Sequence, residues 1–325
     1  MDINKLKYID RVIWIAIATV AGVVWISSAL GPFEIEWASF QKAALFITLL
    51  ISTSWFYSTM RRDRALAEAL MSAAQIITFA SVAAPLSYVA ASAAFPLWDA
   101  NLAAFDHHLG FDWMAWLAVM NATPLLHTIL AAAYGSFAVQ TTAIVVTLAI
   151  AGHALRLRIF ILSFMLTTLL TLAISTVMPA QGVWGYLHLS ELDSPVIVPI
   201  TRDLPLPVFF GLREGTLRHL VAEGAEGIIS FPSLHAALGL LFIFALWPVK
   251  YIGGLSVLLN LAMIAATPVD GSHYFSDVAA GLTIAILSWI AVKHVLAPIG
   301  LTRTNRLIKG TEDLVGAPGL EPGTR

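Results

Sequence analysis

Residues 231–277 read FPSLHAALGLLFIFALWPVKYIGGLSVLLNLAMIAATPVDGSHYFSD. The apolar runs 232–247 and 251–268 inside this stretch are parted by Pro248, Val249 and Lys250, and a third run, 277–297, follows at once. Runs this long and this poor in charge read as helices crossing a bilayer, the first being short for a full crossing. The polar residues gather at the mouths of the runs. Pro232, Ser233 and His235 open the first, and Gly271-Ser272-His273-Tyr274-Phe275-Ser276-Asp277 joins the second to the third. Two imidazoles and a carboxylate at the ends of neighbouring membrane helices cost free energy to place there, which asks for a chemical reason.

The rest of the chain has the same character. Of its 325 residues 58% are hydrophobic and 12% charged, far more apolar than a soluble globular domain. Further runs near 12–30, 43–60, 68–96, 125–152 and 159–180 bring the expected count to about eight spans of roughly 20 residues each. The predicted class is an all-α integral membrane protein. The third and fourth runs are long enough to tilt or to contain a break, and Pro85 is placed to kink the third. The absence of cysteine excludes thiolate zinc sites, disulfides and thiol catalysis. A net charge of −2 gives no sign of a nucleic-acid partner.

Charge sets the expected orientation. If odd runs cross from inside to outside, fourteen of the eighteen Lys and Arg residues fall inside, leaving Lys42, Arg202, Arg213 and Arg218 outside. That asymmetry is what the positive-inside rule demands. Both termini are then cytoplasmic, and His235, His273 and Asp277 all lie at the outer face. The layout fits a bacterial inner membrane with the site facing the periplasm. The first apolar stretch, after Lys5, Lys7 and Arg11, exceeds the roughly 7–15 residues of a signal-peptide core, so an anchor is expected.

His273 and Asp277 are four apart, so on a helix they share a face and touch. A carboxylate behind an imidazole fixes its tautomer and stabilises its charged form, the His–acid half of a nucleophile device. His235 offers a second imidazole as general acid and base. The start of the run at 232 adds backbone N–H groups near Ser233, an anion cradle of the helix N-terminal kind, and the Ser233 hydroxyl adds a further donor. Asp270 reads as a turn residue shaping the loop, or as a ligand for an acceptor hydroxyl. His127 reads as a structural hydrogen-bonding residue or as a further member of the site, and Gln140 as a helix–helix hydrogen bond. With cations and N–H groups carrying the developing charge, the chemistry requires no metal and no cofactor.

This pair of motifs resembles the second and third signature motifs of the type 2 phosphatidic acid phosphatase superfamily, membrane enzymes that cleave or transfer phosphoryl groups on lipids. The family pattern is Pro-Ser-Gly-His, then Ser-Arg, five residues, His, three residues and Asp. Pro232, Ser233, His235, His273 and Asp277 match; Leu234 stands where glycine is usual, and the Ser-Arg positions fall on Ala266 and Thr267. His-Tyr-x-x-Asp without the arginine is more similar to the inositol phosphorylceramide synthase and sphingomyelin synthase branch. Those enzymes move a phospho-alcohol head group between lipids with a His, His, Asp set. The resemblance covers residues 65–297 and implies a six-helix phosphatase-like core there, after an N-terminal helix pair in 1–64. It also implies phospholipid or sphingolipid substrates, His273 as a nucleophile forming a phospho-histidine, and His235 as its acid and base.

In the superfamily a first motif with a lysine and an Arg-Pro supplies phosphate-binding cations, where residues 181–230 run here. This stretch holds no lysine and no arginine directly followed by proline. Arg202, Arg213 and Arg218 are the substitutes, with Arg213 in Leu212-Arg213-Glu214-Gly215 preferred, since an arginine fork suits a phosphodiester. The tail, 298–325, carries Gly316-Ala317-Pro318-Gly319 and Glu321-Pro322-Gly323 and is expected to be disordered.

Residues 97–124 carry Trp98, Leu102, Phe105, Leu109 and Trp113 with Asp99, Asp106 and Asp112 between them. This spacing predicts an amphipathic helix in the outer interface, anchored by aromatics, with its carboxylates on a solvated face. Asp106-His107-His108 and Asp112 have metal-ligand chemistry, but adjacent histidines on a helix point in different directions. Two functions stay open: lipid phosphotransfer, with plain phosphate hydrolysis as its variant, or a transporter with His127, His235, His273 and Asp277 as a relay. The lack of an inverted repeat, and the clustering at one face of the membrane, favour the enzyme.

Overall fold

The computed structural model describes residues 3–31, 34–201, 206–217, 219–222 and 227–300. Arg202, Arg218 and, of the tail, residues 301–325 lie outside the described residues, while 298–300 end the last helix. The helices are α1 (Ile3–Leu30), α2 (Gln41–Phe56), α3 (Arg64–Ser92), α4 (Asp99–His108), α5 (Trp113–Ala122), α6 (Pro124–Gly135), α7 (Phe137–Ile150), α8 (Ala154–Val177), the single turn α9 (Val183–Tyr186), α10 (Leu206–Arg213), α11 (Leu234–Leu246), α12 (Ile252–Asp270) and α13 (Phe275–Gly300). Two-residue strands, β1 (Glu34–Ile35) and β2 (His219–Leu220), pair in parallel.

The all-α membrane class is as expected. Among the described residues six stretches are long and apolar enough to cross a membrane: Asn4–Leu30, Trp37–Arg61, Arg64–Ser92, Ala154–Val177, Ile252–Asp270 and Phe275–Pro298. The α5–α6 pair, bent by 110°, makes a seventh if it is one span. The expected count of eight differs because it included 125–152 and 232–247. The first is two helices, α6 and α7, and the second is α11, only 13 residues long.

Local chemistry explains these breaks. Thr123 precedes Pro124, which pushes it out of the helical region (φ −130) and sets the sharp turn between α5 and α6. Pro124 then sits at the first helical position, where a missing N–H costs nothing. Between α6 and α7 the Ser136 hydroxyl donates to the Ala133 carbonyl at 2.7 Å, a local bond that competes with the helical ladder. Pro85, by contrast, lies inside a continuous α3.

The bundle centres on α8, which packs against α3, α11 and α13. Phe79, Phe160, Phe164 and Phe242 fill its middle with tilted and edge-on ring pairs, such as Phe79 and Phe164 at 6.0 Å. Gly281 lets α13 press on the start of α11, since a Cβ there would lie 2.2 Å from the Ser233 carbonyl oxygen. Two arginines of α8 tie the end far from the motifs. Arg156 donates to the carbonyls of Ala245 (2.7 Å) and Phe244, satisfying the C-terminus of α11. Buried Arg158 pairs with Asp10 of α1 at 3.0 Å and Glu68 of α3 at 3.3 Å. A buried guanidinium needs such partners, and these two fasten α1 and α3 to the core.

Candidate active site

The loop 271–274 carries His273, and its Nδ1 lies 3.2 Å from Asp277 Oδ2. The partner is the expected one, but the reason is different. His273 precedes α13, so the two do not share a helical face. Instead Asp277, in the first turn, reaches back and accepts the Tyr274 N–H at 3.1 Å with the same oxygen, the returning half of a capping box. The cap therefore aims the carboxylate at the imidazole. His273 is buried, and burial pushes its pKa down to about 4, partly offset by a hydrogen bond to the Ser230 backbone. The ring is neutral at pH 7.

Two further carboxylates hold this loop. Asp106 accepts the amides of Phe275 (2.7 Å) and Ser276 (2.8 Å) at the start of α13. Asp99 accepts the Tyr274 hydroxyl at 3.0 Å and the amides of Gln181 and Gly182 at 3.1 Å each. Its burial raises its pKa against the pull of these bonds, and burial beside Asp99 raises that of Tyr274.

The solvated face expected for residues 97–124 is therefore corrected. The segment is two helices, and Asp99 and Asp106 are both buried, facing the loop instead of water. Asp112 caps α5 by accepting the Ala115 N–H at 3.0 Å. Trp113 is also buried, not an interfacial anchor. Its indole donates to the Pro268 carbonyl at 3.0 Å and that of Trp184 to the Val269 carbonyl at 3.3 Å, satisfying the C-terminal end of α12. On the other flank, the Ser272 carbonyl and hydroxyl accept the amides of Val183 (2.9 Å) and Trp184 (3.0 Å). Gly182, at φ +88 with no room for a Cβ beside Ser272, permits that approach.

His235 stands in the first turn of α11. Ser233 caps that helix by accepting the Ala236 N–H at 3.3 Å, and its own N–H donates to the Asp277 carbonyl at 3.2 Å. The motifs are thus joined through backbone. His235 Nδ1 is 3.2 Å from the Tyr134 hydroxyl, and the two rings stack at 4.2 Å and 19°. Gly271 marks how near His273 and Tyr134 come. A Cβ there would meet His273 Cδ2 at 2.5 Å and Tyr134 Oη at 3.0 Å.

Both imidazoles line one cavity of about 320 Å³. Tyr134, Gln181, Thr201 and Ser272 share its polar end, while Phe79, Ala83, Phe164, Leu172 and Leu238 form an apolar end between α3, α8 and α11.

Other expected site residues are elsewhere. Ser233 is fully buried under α13 and does not line the cavity. Asp270 pairs with His127 Nε2 at 3.1 Å and accepts the Ile200 amide at 3.3 Å, while its carbonyl takes the Thr201 hydroxyl at 2.7 Å. Asp270 thus ties Ile200 and Thr201 to the end of α12, with His127 as its side-chain partner. Arg213 is not among the cavity's lining residues. Its guanidinium donates to the Phe95 carbonyl at 2.7 Å and lies over the Phe209 ring, and burial lowers its pKa. Gln140 donates to Ser136 within its own segment at 2.9 Å and reaches across to the Met263 sulfur at 3.8 Å. Among the described residues no three His, Asp or Glu side chains are grouped to hold a metal ion, the Asp106-His107-His108 segment included.

A family model described as the PAP2 superfamily matches residues 100–291, more than half of the chain. The chain belongs to this superfamily. PAP2 members are phosphatases and phosphotransferases, so membership supports an enzyme of phosphatase type acting on lipids in a bilayer. Among curated proteins and among solved structures nothing matches the chain. The PAP2 match begins after α3, yet α3 supplies Phe79, Ala80, Ala83 and Ala84 to the cavity wall.

Proposed function

We propose that the protein is a lipid phosphotransferase that moves a phospho-alcohol head group between lipids through a phospho-histidine. It works at the outer face of a bacterial inner membrane, with both termini cytoplasmic. The observation that carries the reading is the shared cavity. Its two imidazoles have different backing, a carboxylate behind His273 and a phenol behind His235.

Asp277 accepts a hydrogen bond from the Nδ1–H of His273, leaving the lone pair of the opposite ring nitrogen as nucleophile. That nitrogen attacks phosphorus, the bond to the lipid oxygen breaks, and His235 delivers a proton to the departing alkoxide. His235 then takes the proton of an incoming hydroxyl, whose oxygen attacks phosphorus and frees His273. The amides of Leu234 and His235 have no partner within their helix by geometry, and both residues line the cavity. They are suited to hold the phosphate oxygens, an electrostatic role that grows as negative charge develops. The apolar end receives a lipid chain. Arg202, Arg213 and Arg218 remain the cations proposed for phosphate, Arg213 needing release from Phe95. The charge asymmetry across the spans supports the orientation.

The test uses purified protein in mixed micelles with labelled phospholipids and phosphatidic acid, with and without diacylglycerol or ceramide. A new phospholipid that needs both the acceptor and His273 is the expected result. Free phosphate from phosphatidic acid, lost in His273→Ala, replaces transfer by hydrolysis. No product from any lipid overturns the reading.

A further inference from the structure

Tyr134 belongs to neither motif, yet it makes the polar contact of His235. Its hydroxyl lies 3.2 Å from Nδ1, its ring stacks on the imidazole, and it is 4% exposed. We propose that Tyr134 is the positioning residue of the acid–base step, accepting the Nδ1–H of His235 so that only Nε2 exchanges protons with the substrate. This rests on the reading of His235 as general acid and base.

A shuttling imidazole needs one nitrogen fixed while the other works. With Nδ1–H donated to the phenol oxygen, the protonated ring gives its Nε2 proton to the leaving oxygen, and the neutral ring left behind offers the Nε2 lone pair to the incoming hydroxyl. Each turnover takes one proton at Nε2 and returns it there. The identity of the partner matters as well. A carboxylate, as Asp277 is for His273, stabilises the positive charge that develops on the ring as it attacks phosphorus, whereas a neutral phenol lets the ring discharge between half-reactions. The site therefore separates its two histidines by what stands behind each.

The surroundings fit this task. Phe137 meets the His235 ring at 5.2 Å with a tilt of 57°, so contact with two aromatics limits its rotation. Gly271 leaves the gap beside the phenol oxygen open. The titratable groups nearby are His273, across Gly271, and the paired Asp270 and His127, the latter on the same helix as Tyr134.

Tyr134→Phe keeps the ring and removes only the oxygen. Nitrogen-15 NMR of histidine-labelled full-length protein in micelles reads the His235 tautomer without any turnover. The wild type is expected to show the Nδ1–H form, and Tyr134→Phe a mixture of both. In the lipid assay the variant is expected to lose about tenfold to a hundredfold in kcat, with KM nearly unchanged and the His235 limb of the pH profile displaced. A double variant with His235→Ala is expected to be no slower than His235→Ala alone. An unchanged tautomer overturns the proposal whatever the activity. If the tautomer changes but His235→Ala turns over lipid at the wild-type rate, it is the acid–base reading underneath that falls.

Discussion

Asp106 Oδ2 accepts the amide of Phe275 at 2.7 Å, across 169 residues of sequence. Its other oxygen takes the next amide, so one buried carboxylate closes the start of α13, where the aligned peptide dipoles favour negative charge. The turn fixed in this way carries Asp277, and through Asp277 the aim of His273. Asp106→Ala is expected to cost about 1–3 kcal/mol, since two buried amides lose their partner. Thermal unfolding in detergent reads this directly, and activity should fall with it. Melting at the wild-type temperature would show that α4 does not hold the loop.

Asp277→Asn separates charge from shape. The amide oxygen can still cap Tyr274, so the fold is expected to melt near the wild-type temperature. The His273 ring, however, loses the charged acceptor that sets its tautomer. By analogy with other His–acid pairs, kcat is expected to drop about 10²–10⁴-fold. A variant of unchanged kcat would remove Asp277 from the mechanism.

Burial holds His273 down to about 4, below the ordinary imidazole value of 6.5. Its nucleophilic neutral form therefore persists into acid, and the limb of kcat/KM due to this residue is expected below pH 5. Stability runs the same way. Between 6.5 and 4 the unfolded chain binds the proton that the folded chain refuses, so this contribution is full above 6.5 and is lost as pH falls towards 4. Histidine-resolved NMR titration against His273→Ala checks both. A folded-state pKa near 6.5 would remove the effect, and one above it would reverse the sign.

Ala83 lines the apolar end of the cavity from α3. Ala83→Leu adds bulk to that wall, at a cost of about 1–3 kcal/mol from overpacking. The loss, about fivefold for 1 kcal/mol and about 150-fold for 3 kcal/mol, is expected in kcat/KM for long-chain lipids and not for short-chain analogues that leave this end empty. Equal losses on both would place the chain elsewhere.

How much of this was legible in the sequence depends on the range of the interaction. The apolar runs gave the membrane class, because bilayer thickness acts residue by residue. His273 and Asp277 could be paired because they are neighbours in the chain. Asp99 and Asp106, seven apart among aromatics, read as a solvated helix face, since nothing local shows that they meet Tyr274 and Phe275. Their seven-residue spacing, which puts both on one face, was the available signal. Tyr134 had none beyond being a polar-tipped ring near His127. The fourth run hid its break because Ser136 is a weak local signal inside a continuous apolar stretch. Arg213 was chosen for its chemistry, and the Phe95 carbonyl that engages it is remote in sequence.

The most direct test of the central claim is to trap the intermediate. Wild type and His273→Ala would be mixed with phosphorus-labelled lipid, quenched in alkali within the first turnovers, digested and mapped by mass spectrometry. The account predicts acid-labile, alkali-stable phosphate on the peptide containing His273, absent from the variant. Label on another residue, or rapid product formation by His273→Ala, would contradict it.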